Sequence, residues 1–308
     1  MSDHWYAIVN PASGSGRTVA YWEKISGYLR HEGIVYEPHF TQSKGHATEL
    51  AMQGISRGFT KIIAVGGDGT AHEVANGILK QEKVPSLEIT LAMIPAGTGN
   101  DWGRTIGIPR NWNAAIRAIR AGKKTVQDIG VIEYGQVGNE NRRYFINIAG
   151  MGFEAYVGEY INARKARGKG GLYSYVKGLI VCLGSYKTQE TVYVVGNDEF
   201  RAPVFSLACG ICKYNGGGMK QCPDAEPDDG LLDLTVIHSV SKWTVIRNIG
   251  RIFSGSFVKL RQVRQFRGIS FTAFGEKEAL PIDADGESLG SGKANFSILP
   301  RALHVICR

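Results

Sequence analysis

The chain has 308 residues, 43% of them hydrophobic, and a formal net charge of +8. That is length enough for about two domains, each with its own core, and it leaves no room for a disordered or low-complexity polymer. The basic excess suggests an anionic partner: nucleotide, phospholipid surface or nucleic acid.

The stretch Met1-Ser2-Asp3-His4-Trp5-Tyr6-Ala7-Ile8-Val9 has neither the basic start nor the long apolar run of a signal peptide. No apolar run approaches the roughly 20 residues of a spanning helix. Five cysteines are an odd count and suit reduced thiols in a cytosol. The expected location is cytoplasmic, with peripheral contact at the inner membrane face as the most a membrane would involve.

The first third alternates strand and helix patterns. Tyr6–Val9 reads as a short buried strand, followed by the loop Asn10-Pro11-Ala12-Ser13-Gly14-Ser15-Gly16. Val19, Trp22, Ile25 and Leu29 recur at helical spacing. Ile34–Tyr36 resumes as a strand, Ala47–Ile55 as a helix, and Lys61–Val65 as a third strand running into Gly66-Gly67-Asp68-Gly69-Thr70. Ala71, Val74, Ala75, Ile78 and Leu79 then form an amphipathic helical stripe, and Leu91–Ile94 is the next strand. Such alternation implies a parallel sheet covered on both faces. Ligands of such sheets bind beyond the carboxyl ends of the strands. The three turns beginning at Asn10, Gly66 and Ala96 all follow strands, so they share that edge.

Near Thr125 the pattern changes. Strands dominate: Gln127–Glu133, Tyr144–Ile148, Thr191–Val195, Val204–Ile211, Leu231–Ile237, Ile269–Phe274 and Phe296–Leu299. This predicts an antiparallel β-sandwich interrupted by helices at Tyr173–Leu183 and Lys242–Phe253, the latter capped by Ser241. The expected division is 1–126 for an N-terminal three-layer α/β nucleotide domain, with a return at about 300–308, and 127–299 for a β-rich domain.

Glycines in Gly66–Thr70 let backbone approach a ligand, and the following helix points free N–H groups at an anion. Asp68 would repel phosphate unless a Mg²⁺ ion or its waters lie between them. Asn10–Gly14 offers a second anion loop with the Ser13 hydroxyl. Pro95-Ala96-Gly97-Thr98-Gly99-Asn100-Asp101 presents a hydroxyl, an amide and a carboxylate. A plain Gly-rich turn explains any one of these, but three on one edge are much less expected by chance.

The ordered set NPxSG, GGDGT and PxGTxND resembles the diacylglycerol kinase catalytic superfamily, in its branch of bacterial soluble lipid kinases that also takes in sphingosine and ceramide kinases. The resemblance continues through Gly216-Gly217-Gly218-Met219, Pro223-Asp224-Ala225, Asp228-Asp229-Gly230-Leu231-Leu232-Asp233-Leu234 and Asp285-Gly286-Glu287. It implies an α/β nucleotide domain followed by a β-rich domain, with the reaction in the cleft between them. The implied activity is Mg²⁺-dependent transfer of the γ-phosphate of ATP to a hydroxyl of diacylglycerol or a related lipid.

By that resemblance, Asn10, Pro11, Ser13, Gly14, Thr41, Gly66, Gly67, Asp68, Gly69, Thr70, Thr98, Asn100 and Asp101 hold ATP and its Mg²⁺, with Asp68 and Asp101 on the ion. Asp285 and Glu287 are the candidate bases, joined by Asp68 among the catalytic residues. Asp229, with the carbonyls of Glu226 and Leu231, resembles the site of a second, structural Mg²⁺. Without the resemblance, an acid-rich surface turn explains Asp285 and Glu287, and a charged hairpin turn explains Asp229.

Cys209-Gly210-Ile211-Cys212 fits a redox or zinc half-site, but it lies in an apolar strand with no second pair at zinc spacing. From Lys242 to Arg267 there are seven basic residues and no acid, and Arg164, Lys165, Arg167 and Lys169 form a second basic group. Trp243, Ile246, Ile249, Ile252 and Phe253 read as the core side of the Lys242–Phe253 helix, and the basic residues as a solvated face or an anionic-membrane contact. Expected partners are a lipid substrate at a membrane surface and no nucleic acid, a homodimer being compatible. Competing readings are an NAD kinase-like phosphotransferase, which shares only GGDGT, and a non-catalytic nucleotide- or nucleic-acid-binding protein.

Overall fold

The computed structural model describes residues 4–14, 16–97, 99–136, 139–165 and 172–308. The chain divides into two compact units, residues 1–128 with 301–308 and residues 129–300.

The first unit contains β1 (His4–Val9), α1 (Arg17–His31), β2 (Val35–Phe40), α2 (His46–Ser56), β3 (Lys61–Gly66), α3 (Asp68–Lys80), β4 (Thr90–Pro95), α4 (Asp101–Ile106) and α5 (Trp112–Ala121). Its strands pair in parallel in the order β2-β1-β3-β4. β1, β3 and β4 are buried along nearly their whole lengths, as expected where helices cover both faces. Alternation sorts their side chains: Ala7, Val9, Ile63, Val65, Ala92 and Ile94 pack with Ile25 and Leu29 of α1 and Ile116 and Ile119 of α5. On the other face Tyr6 lies under α2, where a Cβ on Gly54 would fall 2.8 Å from its ring. Each fully buried aliphatic contributes about 1.5–3 kcal/mol. α4 and α5 escape the sequence reading, α4 because six residues are too few to show a period.

The second unit contains the end of β5 (Lys124–Gln136), β6 (Asn139–Phe145), β7 (Ile148–Gly152), α6 (Phe153–Lys165), α7 (Leu172–Ser185), β8 (Gln189–Val195) and β9 (Asp198–Gly210). β10 (Tyr214–Asn215), β11 (Met219–Lys220), β12 (Leu232–His238), α8 (Lys242–Ser254), β13 (Val263–Gly268), β14 (Ser270–Gly275), β15 (Leu280–Ala284) and β16 (Glu287–Ile306) follow. The pairs β5–β6, β7–β9, β7–β15, β8–β9, β8–β14, β9–β12, β10–β11, β12–β13, β14–β16 and β15–β16 are antiparallel. The long strands β9 and β16 each serve both layers: β9 pairs with β8 through its first half and with β7 and β12 through its second. β16 pairs with β15 and then β14. The core lies between the layers, with Phe145, Tyr193, Leu207, Leu234, Phe271 and Phe296 among its buried members.

Three expectations need correction. Tyr144–Ile148 is not one strand: β6 ends at Phe145, the chain bends at Ile146-Asn147, and β7 begins at Ile148. Phe296–Leu299 is a piece of the 20-residue β16. α8 has no buried residue, and of its expected core side Trp243, at 76% exposed, Ile246 and Phe253 face solvent.

Candidate active-site residues

In the first unit the three turns meet at the carboxyl edge of the parallel sheet. Asn10 follows β1, its N–H donating to the Val65 carbonyl of β3 at 2.9 Å. Its amide nitrogen donates to Thr70 Oγ1 at 3.0 Å, and its Oδ1 accepts from the Ala12 N–H at 3.0 Å. Thr18 Oγ1 donates to the Ser13 carbonyl at 3.0 Å, closing the loop around Ser13 and Gly14. The Ala96 N–H donates to the Gly66 carbonyl at 2.7 Å. A Cβ on Gly97 would lie 2.6 Å from Gly67 Cα, and one on Gly67 would lie 3.6 Å from Ser13 Oγ. Glycine is therefore needed for the turns after β3 and β4 to touch. Thr41 joins the same edge, its N–H donating to the Val9 carbonyl at 2.9 Å.

Asp68 opens α3, and its carboxylate faces the start of α4: Oδ2 accepts from the Asp101 N–H at 3.1 Å and Oδ1 from the Trp102 N–H at 3.3 Å. Above Gly99 the oxygens Asp68 Oδ2 and Asp101 Oδ2 converge, 3.2 and 3.6 Å from where a Cβ would stand. The Arg104 guanidinium stands 3.8 Å from the other Asp101 oxygen. Asn100 holds a left-handed backbone, φ 51°, and its amide donates to the Gly97 carbonyl at 3.2 Å. Its buried Oδ1 has no hydrogen-bond partner among the described residues. Two hard carboxylate oxygens with a buried carbonyl nearby form a donor set that suits Mg²⁺. Thr98 lies outside the described residues.

In the second unit β15 and β16 are joined by a tight turn at Asp285-Gly286, with φ of 53° and 84°. Both residues are left-handed, which is why Asp-Gly serves here. Asp283 Oδ1 accepts from the Gly286 N–H at 3.1 Å. The Asp285 carboxylate is buried and points back into the chain: Oδ2 accepts from the Ile146 N–H at 2.8 Å, and Oδ1 from the Asn147 and Ile148 N–H groups at 2.9 and 3.0 Å. The bend that breaks the expected strand therefore wraps this carboxylate. Asn147 extends the network, its side-chain amide donating to the Tyr214 carbonyl at 2.8 Å and its backbone carbonyl accepting from the Ile211 and Cys212 N–H groups. Glu287 is the first residue of β16, on the far side of the turn.

Beside β15 stands Glu154 of α6, which the sequence reading missed. Asn215 Nδ2 donates to its Oε1 at 2.5 Å. The Gln221 amide, turned with its nitrogen inward, reaches both oxygens at 2.8 and 2.7 Å. Burial pushes the Glu154 carboxyl up to about 8, against the lowering effect of those two donors. Burial likewise raises Asp283 well above the carboxylate range, and the nearby Glu154 charge adds to it. Glu154 borders a cavity of about 130 Å³ that is lined chiefly by apolar side chains, including Phe153, Val157, Leu179, Phe205 and Ile252.

Glu73 of α3 was also missed. Its carboxylate accepts from the Gly45 and Ala47 N–H groups at 2.9 and 3.2 Å, fastening the segment after Thr41. The only local signal for Glu154 is an acid inside the apolar run Met151–Val157; Glu73 has none.

The predicted second cation site looks different. The Asp229 carboxylate pairs with the Arg267 guanidinium, and its Oδ1 accepts from the Leu231 N–H at 3.0 Å. Asp233 joins at 3.3 Å from Arg267 Nε. The Arg267 guanidinium thus bridges Asp229 and Asp233. The five cysteines are free and buried. Burial pushes the Cys209 and Cys222 thiols well up, which suits packing rather than redox work.

Residues 4–132 match the family model described as the diacylglycerol kinase catalytic domain. Residues 147–307 match the model described as the YegS C-terminal NAD kinase beta sandwich-like domain. A diacylglycerol kinase of Mycobacterium tuberculosis is 30% identical over 302 residues, covering 97% of this chain and 94% of that protein. One of Bacillus subtilis is 28% identical, covering 97% and 94%. The fold is that of a Bacillus anthracis diacylglycerol kinase crystal structure, at TM-score 0.75 and 24% identity, covering 99% of this chain and 97% of that one.

Proposed function

Because the chain belongs to the diacylglycerol kinase family and is a lipid kinase, we propose that it transfers the γ-phosphate of ATP, with Mg²⁺, to a hydroxyl of diacylglycerol or a closely related lipid. The observation that carries the choice of acceptor is the apolar cavity of the second unit. Glu154 lines it, and Glu154 lies against Asp283 on the strand that leads into Asp285. A dinucleotide acceptor would need polar and cationic walls; an acyl chain needs this one.

In this reading the turns at Asn10–Gly14, Gly66–Thr70 and Pro95–Asp101, with Thr41, hold the triphosphate through backbone N–H groups and the Ser13 and Thr98 hydroxyls. Asp68 and Asp101 hold Mg²⁺, which when bound neutralises the phosphate oxygens. Asp68 also keeps α4 in place through its two backbone bonds. Asp285 fixes the bend at Ile146–Ile148 and the turn beside it, and Glu287 takes the proton of the attacking hydroxyl. The second, structural Mg²⁺ at Asp229, Glu226 and Leu231 is not carried into this proposal, since the Arg267 guanidinium occupies Asp229.

The test is transfer of labelled phosphate from ATP to diacylglycerol in mixed micelles, with NAD as the competing acceptor. Labelled lipid that disappears on omission of Mg²⁺ is expected; labelled NAD phosphate with no labelled lipid would overturn the reading.

A further inference from the structure

Six of the large apolar side chains exposed among the described residues lie on two neighbouring helices: Ile180 and Val181 on α7, and Trp243, Ile246, Ile249 and Phe253 on α8. Lys242 Nζ at the start of α8 donates to the Gly184 carbonyl near the end of α7, at 2.5 Å, so the two helices are tied. At 3.6 residues per turn, Trp243, Ile246, Gly250 and Phe253 fall on one stripe of α8, flanked by Arg247 and Arg251 on one side and Lys242 on the other. The opposite face, with Val245, Asn248 and Ile252, lines the apolar cavity, and Ile249 reaches its rim while staying partly exposed. The helix thus has two apolar faces, one closing a cavity and one turned to solvent.

Soluble surfaces seldom gather large apolar residues this way unless they meet something. Charge tells what. Lys242, Arg247, Arg251, Lys259, Arg261 and Arg264 are all exposed, and no acid occurs from Lys242 to Arg267. Arg247 and Arg251 have no acidic partner among the described residues. A second copy docked through the same face would set this basic stripe against itself. An anionic bilayer satisfies both halves of the pattern: acyl chains for Trp243, Ile246 and Phe253, and head-group phosphates for the arginines.

We propose that the outward face of α8, with the end of α7, docks on the surface of an anionic membrane. The cavity-lining face of the same helix then stands beside the bilayer from which the lipid acceptor of the proposed reaction would come. The docking inference leans on that reading only for its purpose; the surface itself stands on exposure and charge.

The test is flotation of the full chain with phosphatidylcholine vesicles, with and without phosphatidylglycerol, at low and high salt. Binding that requires the anionic lipid and weakens with salt is expected. Arg247→Ser with Arg251→Ser should bind about thirtyfold more weakly and show a weaker salt dependence. Trp243→Ser with Ile246→Ser should bind about tenfold or more weakly, whereas Trp243→Phe should bind like the parent. All these residues are exposed, so melting temperatures should match the parent's. Undiminished flotation of the serine variants would overturn the proposal. So would equilibrium sedimentation showing that they abolish self-association while no parent binds vesicles. Phosphorylation of a water-soluble short-chain diacylglycerol separates the two failures. Parent activity there without flotation sinks the docking face alone; flotation lost in the variants with no parent activity sinks the kinase reading alone.

Discussion

Asp68 and Asp285 belong to the two units, and each is the acid of a glycine turn. Both are gripped by backbone N–H groups, yet in different settings. Asp68 accepts two bonds of 3.1 and 3.3 Å at the start of a six-residue helix. Asp285 accepts three of 2.8–3.0 Å and is buried. The first is a cap with an edge left toward the Gly99 turn; the second is a hub around which a bend of the chain is folded. An acid in a motif can therefore be there for the chain as much as for the substrate, and the two uses separate by experiment.

The largest effect is expected at Glu287, which the comparison leaves for chemistry. Glu287→Gln should lower kcat for lipid phosphorylation by about 10²–10⁴, with an unchanged urea midpoint. Near-parent turnover would move the proton acceptor elsewhere. At the hub, Asp285→Asn turns an amide NH₂ toward backbone donors and should cost about 3 kcal/mol of stability, read from urea unfolding. A variant as stable as the parent but inactive would return Asp285 to the chemistry.

Glu154 sharpens the contrast through pH. Its carboxyl keeps a proton to about pH 8 when folded, against a usual value of 4.5 in the unfolded chain. Below 4.5 both states carry the proton and nothing is lost. Between 4.5 and 8 only the unfolded chain ionises, so stability falls as pH rises. Glu154→Gln should remove that slope, gaining about 3 kcal/mol on the parent at pH 7. Parallel stability curves would show that Glu154 ionises freely. The smallest effect on stability is expected at Asp68. Asp68→Ala should lose about 1 kcal/mol through the missing cap and, separately, its Mg·ATP-dependent activity through the missing ligand. Retained activity would leave Asp68 a cap and no more.

The same contrast explains how much could be read from the amino acids. The turns of the first unit announce themselves because strand, glycine turn and helix are contiguous, and their spacing alone puts them on one edge. The hub does not: its donors lie 137 to 139 residues from Asp285. The spacing predicts a continuous strand at Tyr144–Ile148 because nothing nearby says that a distant carboxylate will bend it. Trp243, Ile246 and Phe253 follow a core pattern, and only the fold reveals that solvent faces them. The Asp229–Arg267 pair is equally silent, since its two members are 38 residues apart.

β16 has a consequence for how the chain comes into being. Near its end it lies parallel to β4, His304 against Thr90 and Val305 against Leu91. The Arg301 N–H donates to Asp128 Oδ1, the Ala302 carbonyl accepts from Ser86 Oγ at 2.7 Å, and the Cys307 N–H donates to the Lys123 carbonyl at 3.1 Å. On a ribosome, residues 1–128 emerge long before these partners exist. The first unit must therefore wait, its β4 border open, while the whole intervening half is made. A stalled or shortened translation product would carry all three glycine-rich turns and still expose a sticky strand edge, which makes it a natural client for chaperones and proteases.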